Sequence, residues 1–174
     1  MTMDKPEICE LQELLILIKE HTHELNRTFF SSEKNKNQTF LFEIQYIWGN
    51  IQNFRSKIEL PDEEPYLSIQ KIAGQLSRMR NLIIHNQFEQ SRFENEYLIL
   101  RRFVEQYEKN LVRTLYFNDT GVWSEKIGNL RWAAKLAGKS EVTIRRYVFA
   151  EKIKAYKIIK IWWVPYEEIK NKLN

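Results

Sequence analysis

Cysteine is nearly missing from this chain: Cys9 is the only one in 174 residues. A lone thiol excludes an internal disulfide framework and suits a reducing compartment. Glycine is scarce too, with five in the chain, and no Gly-rich dinucleotide fingerprint can be written from them. Gly138-Lys139-Ser140 has the ending of a phosphate-binding loop. The glycine such a loop requires five residues earlier is Ala133, which excludes it. Histidine is limited to His21, His23 and His85. His21 and His23 stand two apart in a helical stretch, on diverging faces and with no cysteine beside them. They read as surface residues, and neither a metal site nor a cofactor is expected. No apolar run approaches the ~20 residues of a membrane-spanning helix, and the acidic N-terminal stretch lacks the signal-peptide pattern. The expectation is a cytoplasmic protein with no membrane contact.

Charge is abundant and unevenly placed. The net charge is +4, yet residues 1–119 hold 15 Lys+Arg against 18 Asp+Glu, and residues 120–174 hold 12 against 5. A compact basic module behind a mildly acidic one points to nucleic acid for the tail. A solvated Lys-rich surface is the other reading of the same charge.

Apolar spacing predicts four long helices. Leu11, Leu14, Leu15, Ile18 and Leu25 mark the first, over 6–28, and Ser31 to Gln38 reads as a polar loop. Phe40, Ile44, Ile47, Trp48, Ile51, Phe54 and Ile58 form the stripe of a second, over 38–58. Pro61 and Pro65 break it. Ile69, Ile72, Leu76, Met79 and Ile83 mark a third, over 66–85. A fourth, over 91–117, carries Phe93, Tyr97, Leu100, Val104, Tyr107, Leu111 and Leu115. Four amphipathic helices of this length make a bundle. Asn118-Asp119-Thr120-Gly121 is rich in turn formers and marks the expected domain boundary, with domains at 1–118 and 119–174.

The pattern beyond it changes. A short helix over 130–137, a turn at Gly138-Lys139, and a helix over 141–149 capped by Ser140 make a helix-turn-helix. Lys154 to Val164, rich in β-branched and aromatic residues, predicts a hairpin, and Pro165 opens a last helix. Trp162 and Trp163 face opposite sides of that strand, one of them in the core.

Two resemblances follow from particular residues. Arg80-Asn81-Leu82-Ile83-Ile84-His85 closes the third helix. It resembles the R-x4-H signature of the HEPN superfamily, helical-bundle domains that cleave RNA without metal. The resemblance implies that His85 is the acid/base, Arg80 binds the scissile phosphate and Asn81 orients the site, with Asn86 as a helper. It also implies a homodimer in which two motifs meet, because one Arg and one His are too few for metal-free cleavage. On a regular helix the two side chains lie about 140° apart, which again asks for a second copy or a distorted last turn. The bland reading is a solvated or capping pair at a helix end. Arg78 reads as exposed.

The tail carries Ala133-Ala134-Lys135-Leu136-Ala137-Gly138, Val142-Thr143-Ile144-Arg145-Arg146-Tyr147 and Trp163-Val164-Pro165. These resemble the excisionase-like winged helix-turn-helix, related to the DNA-binding part of the MerR regulators. The wing departs from that pattern, with Lys160-Ile161-Trp162 where the family has a Gly-Arg pair. Duplex DNA is the implied partner. Ser140, Thr143, Arg145 and Arg146 would sit at the groove, and Lys139, Lys152, Lys154 and Lys157 on phosphates.

The expected fold is therefore mainly α: a four-helix HEPN-like bundle, then a small winged helix-turn-helix with a short β-hairpin. The expected function is a metal-independent endoribonuclease with a DNA-binding tail, a bacterial or phage defence or toxin protein. The alternative is a dimeric transcriptional regulator whose bundle only dimerises. An adaptor using both modules for protein contacts is a third reading. The residues name neither the RNA, nor the DNA sequence, nor any antitoxin.

Overall fold

The computed structural model describes residues 5–31, 36–57, 64–85 and 89–173. Among them the chain is mainly helical, with seven helices and one small antiparallel sheet. The helices are α1 (Lys5–Phe30), α2 (Lys36–Lys57), α3 (Tyr66–Ile84), α4 (Gln90–Thr120), α5 (Leu130–Leu136), α6 (Glu141–Phe149) and α7 (Tyr166–Lys172). The strands are β1 (Ile127–Asn129), β2 (Tyr156–Ile158) and β3 (Ile161–Pro165). No described helix is long and apolar enough to cross a membrane.

The chain divides into two compact units. Glu10–Tyr107 is one. Its core is the set of helical stripes: Leu11, Leu15 and Ile18 from α1, Phe40, Ile44, Ile47 and Ile51 from α2, Ile69, Ile72, Leu76 and Met79 from α3, and Phe93, Leu100 and Tyr107 from α4. Polar ties align the helices. The buried Tyr107 hydroxyl donates to the Leu11 carbonyl at 2.8 Å, and Gln75 Nε2 donates to the Glu96 carbonyl at 2.8 Å. Two expected stripe residues behave otherwise: Trp48 is 43% exposed, and Ile58 lies outside the described residues, as do Pro61 and Asn86. Of the expected polar loop, residues 36–38 already belong to α2.

The second unit holds Glu108–Asn174 together with the start of α1 up to Cys9. The Asn118–Gly121 stretch, expected as a turn-rich domain boundary, therefore lies inside this unit, and its first three residues are the last of α4, with Gly121 (φ +70°) following the helix. The physical reason is in the last turns of α4, whose side chains bind the segment that follows. Arg113 donates to the carbonyls of Ser124 and Glu125 at 3.1 and 2.9 Å. Tyr116 donates to the buried Glu168 at 3.1 Å, and Asp119 accepts from Tyr156 at 2.7 Å. Leu115, expected on the buried face, is half-buried.

The sheet has the order β1-β3-β2, antiparallel throughout, with Asn129 and Tyr156 both opposite Trp163. β2 and β3 are the expected hairpin; β1 adds a third strand. Gly128 in β1 lies under the Trp132 ring, where a Cβ would come within 2.1 Å of the indole. A hydrophobic core of Leu130, Ala133, Ile144, Val148, Val164 and Ile169 joins α5, α6, β3 and α7. Trp163 is the core tryptophan of the pair, and Trp162 packs half-buried against that core.

Candidate functional site

Arg80, Asn81 and His85 lie at the C-terminal end of α3, all three exposed. Met79, Leu82 and Ile83 are buried between them and hold this end of the helix in the core. That anchoring leaves positions 80, 81, 84 and 85 facing solvent. His85 is the C-cap, with φ −88° and ψ 15°, and its backbone N–H donates to the Asn81 carbonyl at 3.1 Å. Its imidazole is thus carried by a residue that has already left helical geometry. Arg80 and His85 share no hydrogen bond among the described residues, and Arg80 pairs with no described carboxylate. Arg78 is exposed, as expected.

Arg80 opens on a cleft of about 450 Å³ between α2 and α3. Gln45, Trp48 and Gly49 line it from α2, and Leu76, Ser77 and Arg80 from α3. Residues 45, 48 and 49, and residues 76, 77 and 80, each share one helix face. Sequence reasoning assigned Trp48 to the core and did not find this cleft. The signal available was the neighbouring Gly49, a helix interior position with no packing reason for glycine.

His21 also departs from its expected place. It is partly buried, with Nδ1 hydrogen-bonded to the buried carboxylate of Glu43 on α2. Its ring lies 4.2 Å from that of Tyr46. The pairing spans 22 residues across two helices, so no local motif announces it. Among the described residues no group of three or more His, Cys, Asp or Glu side chains could hold a metal ion.

The basic residues of the tail are placed by α5 and α6. Gly138 (φ +61°) ends α5: Lys139 N–H bonds the Ala134 carbonyl at 3.0 Å and Gly138 N–H the Lys135 carbonyl at 3.4 Å. This is a Schellman turn, in which a left-handed residue satisfies the last carbonyls of a helix. Ser140 then caps α6, its Oγ accepting from Thr143 N–H at 3.1 Å and meeting Thr143 Oγ1 at 2.9 Å. Two of Ser140's and Thr143's polar groups are thus already engaged in the cap. Arg145 pairs with Glu141 at 3.3 Å, whereas Arg146 is exposed with no described carboxylate partner. Lys139 is exposed in the turn. Lys157 lies over the Trp162 ring at 6.0 Å and Lys152 over the Tyr147 ring at 5.5 Å. Lys154 is elsewhere: its ammonium reaches the Asp119 carbonyl at the end of α4, at 3.5 Å. Two apolar residues on α6 are exposed, Val142 of the 142–147 run and Phe149, which was not singled out from the sequence; the latter sits edge-on to Trp162 at 5.9 Å.

No protein-family model, no curated protein and no solved structure matches this chain.

Proposed function

We propose that the chain is a HEPN-type, metal-independent endoribonuclease with a winged helix-turn-helix tail that binds duplex DNA, acting as a homodimer in bacterial or phage defence or as a toxin. The observation that carries this reading is the exposed Arg80 guanidinium lining an open cleft, with no carboxylate partner among the described residues and an exposed imidazole five residues on at the cap of the same helix. An exposed guanidinium suits a phosphate. An imidazole can both take and give a proton, as acid/base catalysis requires.

In this reading the His85 imidazole of one copy takes the proton of a ribose 2'-hydroxyl. The freed oxygen attacks phosphorus while Arg80 holds the non-bridging oxygens. The P–O5' bond breaks, and the leaving oxygen takes a proton from the His85 of the second copy. The products are a 2',3'-cyclic phosphate and a 5'-hydroxyl. Asn81, exposed on the adjacent position, orients the substrate or the partner imidazole.

The tail supports DNA binding under this reading and under its alternative, a dimeric DNA-binding regulator with a non-catalytic bundle. α6 presents its capped N-terminus, Arg146 and the Lys139 turn to solvent, the arrangement a recognition helix needs at a major groove. Incubation of the purified protein with RNA in EDTA separates the two. The nuclease yields fragments with cyclic phosphate ends; the regulator leaves the RNA intact and shifts duplex DNA all the same.

A further inference from the structure

Resting on the ribonuclease reading above, we infer that the α2–α3 cleft is a base-binding subsite for single-stranded RNA. One unpaired nucleotide beside the scissile bond inserts its base against Trp48 and leaves its phosphate on Arg80.

Size comes first. At about 450 Å³ the cleft falls within the ~300–1,000 Å³ range of small-ligand sites. Its chemistry is that of a nucleotide pocket. Trp48, which lines the cleft, is 43% exposed, and an exposed aromatic ring is the kind of side chain on which a base stacks. Gln45, an amide that both donates and accepts, and Ser77, a hydroxyl, also line the cleft and offer the hydrogen bonds that the polar edges of a base require. Ile44 and Leu76 are buried and form an apolar floor. Charge agrees: among the described residues Arg80 is the only charged one lining the cleft, and no described carboxylate opposes a phosphate there.

Gly49 supplies a separate argument. Glycine inside a helix costs roughly 0.5–1 kcal/mol relative to alanine. Packing does not require it here, because a Cβ at position 49 would meet nothing within 4 Å. What the missing side chain does provide is open space beside Trp48. A base inside a duplex has no free face to offer the Trp48 indole, so the ligand is single-stranded.

The test uses full-length protein carrying His85→Ala, so that RNA is bound without being cut. Fluorescence anisotropy is read with labelled single-stranded oligomers of each of the four ribonucleotides, and with a duplex of the same length. Trp48→Ala is expected to weaken single-strand binding about ten- to a hundredfold, the ordinary worth of one stacked base. Trp48→Phe is expected to restore most of it, and Gly49→Met, whose Cβ meets nothing within 4 Å and whose longer side chain takes up space in the cleft, to weaken it like Trp48→Ala. In the cutting-competent chain the same substitutions raise KM and leave kcat near the parent value. If the parent binds single strands and both Trp48→Ala and Gly49→Met bind them equally well, the subsite is overturned while the ribonuclease reading stands. If the parent cuts RNA but binds duplex as tightly as single strands, the subsite is overturned as well. A parent that binds none of the oligomers overturns the subsite and the reading together.

Discussion

The indole N–H of Trp163 donates to the carboxylate of Glu108 at 2.9 Å, with both side chains almost fully buried. Lys109 lies over the same ring at 5.8 Å. One tryptophan of β3 is thus held from two successive residues of α4, and the tail's fold includes helix that lies well ahead of Asp119. Removing the acceptor leaves a buried donor unpaired, which costs about 1–3 kcal/mol. Glu108→Ala is expected to lower the stability of the C-terminal unit by about 2 kcal/mol, and Glu108→Gln, which keeps an acceptor, by less. Denaturant unfolding followed by tryptophan fluorescence measures both. By the same argument a fragment beginning at Asp119 unfolds at lower denaturant than one beginning ahead of Glu108.

Alkaline pH should loosen this unit. Burial, then the nearby Glu168 carboxylate, pushes the Tyr116 hydroxyl from the ordinary 10.0 up to about 12. Burial, then the hydrogen bond to Asp119, raises Tyr156 further. The folded chain keeps protons that the unfolded chain releases above pH ~10, so unfolding gains favour there. Their contribution is complete below pH ~10 and is lost as pH rises through about 12. Unfolding midpoints should fall over that window, with phenolate absorbance rising together with unfolding. Tyr156→Phe, which cannot ionise, should flatten the fall.

Among the described residues, two that are not glycine hold left-handed backbone that glycine would adopt freely. Glu151 (φ 54°) closes α6 just as Gly138 closes α5, with Lys152 N–H bonding the Tyr147 carbonyl at 2.9 Å. Ile159 (φ 56°) stands in the two-residue turn of the β2–β3 hairpin. A β-branched residue at positive φ is strained. Glu151→Gly and Ile159→Gly should each raise stability by up to ~1 kcal/mol, the relief exceeding glycine's entropy in the unfolded chain. Thermal melts check this; unchanged or lower midpoints would contradict it.

The two arginines of α6 should contribute unequally to DNA binding. Arg145 is already paired with Glu141 along the helix, and Arg146 has no such partner. Arg146→Ala is expected to weaken duplex binding about tenfold or more in gel shifts, Arg145→Ala by less, and the double variant to abolish it. Binding by the parent should fall steeply with added salt. Lys154→Ala should matter little, since its ammonium points to the end of α4.

Much of the secondary structure was legible because long helices carry their own period. Ile69, Ile72, Leu76, Met79 and Ile83 mark α3 without help from any other segment, and Ser140 and Gly138 announce both ends of the α5–α6 turn. β1 was not legible: Ile127-Gly128-Asn129 has no alternation of its own and is a strand because it pairs with β3. Trp48 was misassigned for a related reason. Its position beside Ile47 and Ile51 lies at the edge of the stripe, where periodicity cannot tell a buried indole from one that walls a cleft. The motif at Arg80 and His85 was visible as residue types and spacing. The cleft beside it was not, because half its lining comes from α2, some thirty residues away. Buried carboxylates such as Glu43, Glu108 and Glu168 escape sequence reading for the same cause, each depending on a partner distant in the chain.

The most direct test of the account is RNA cleavage in EDTA by the parent, Arg80→Ala and His85→Ala, each first shown by solution scattering to have the parent's size. Both residues are exposed, so neither substitution should disturb the fold. The account expects a parent that is dimeric and cuts, and two variants that remain dimeric and do not. Parent-like cleavage by both variants, or cleavage by a parent that is strictly monomeric, would contradict it.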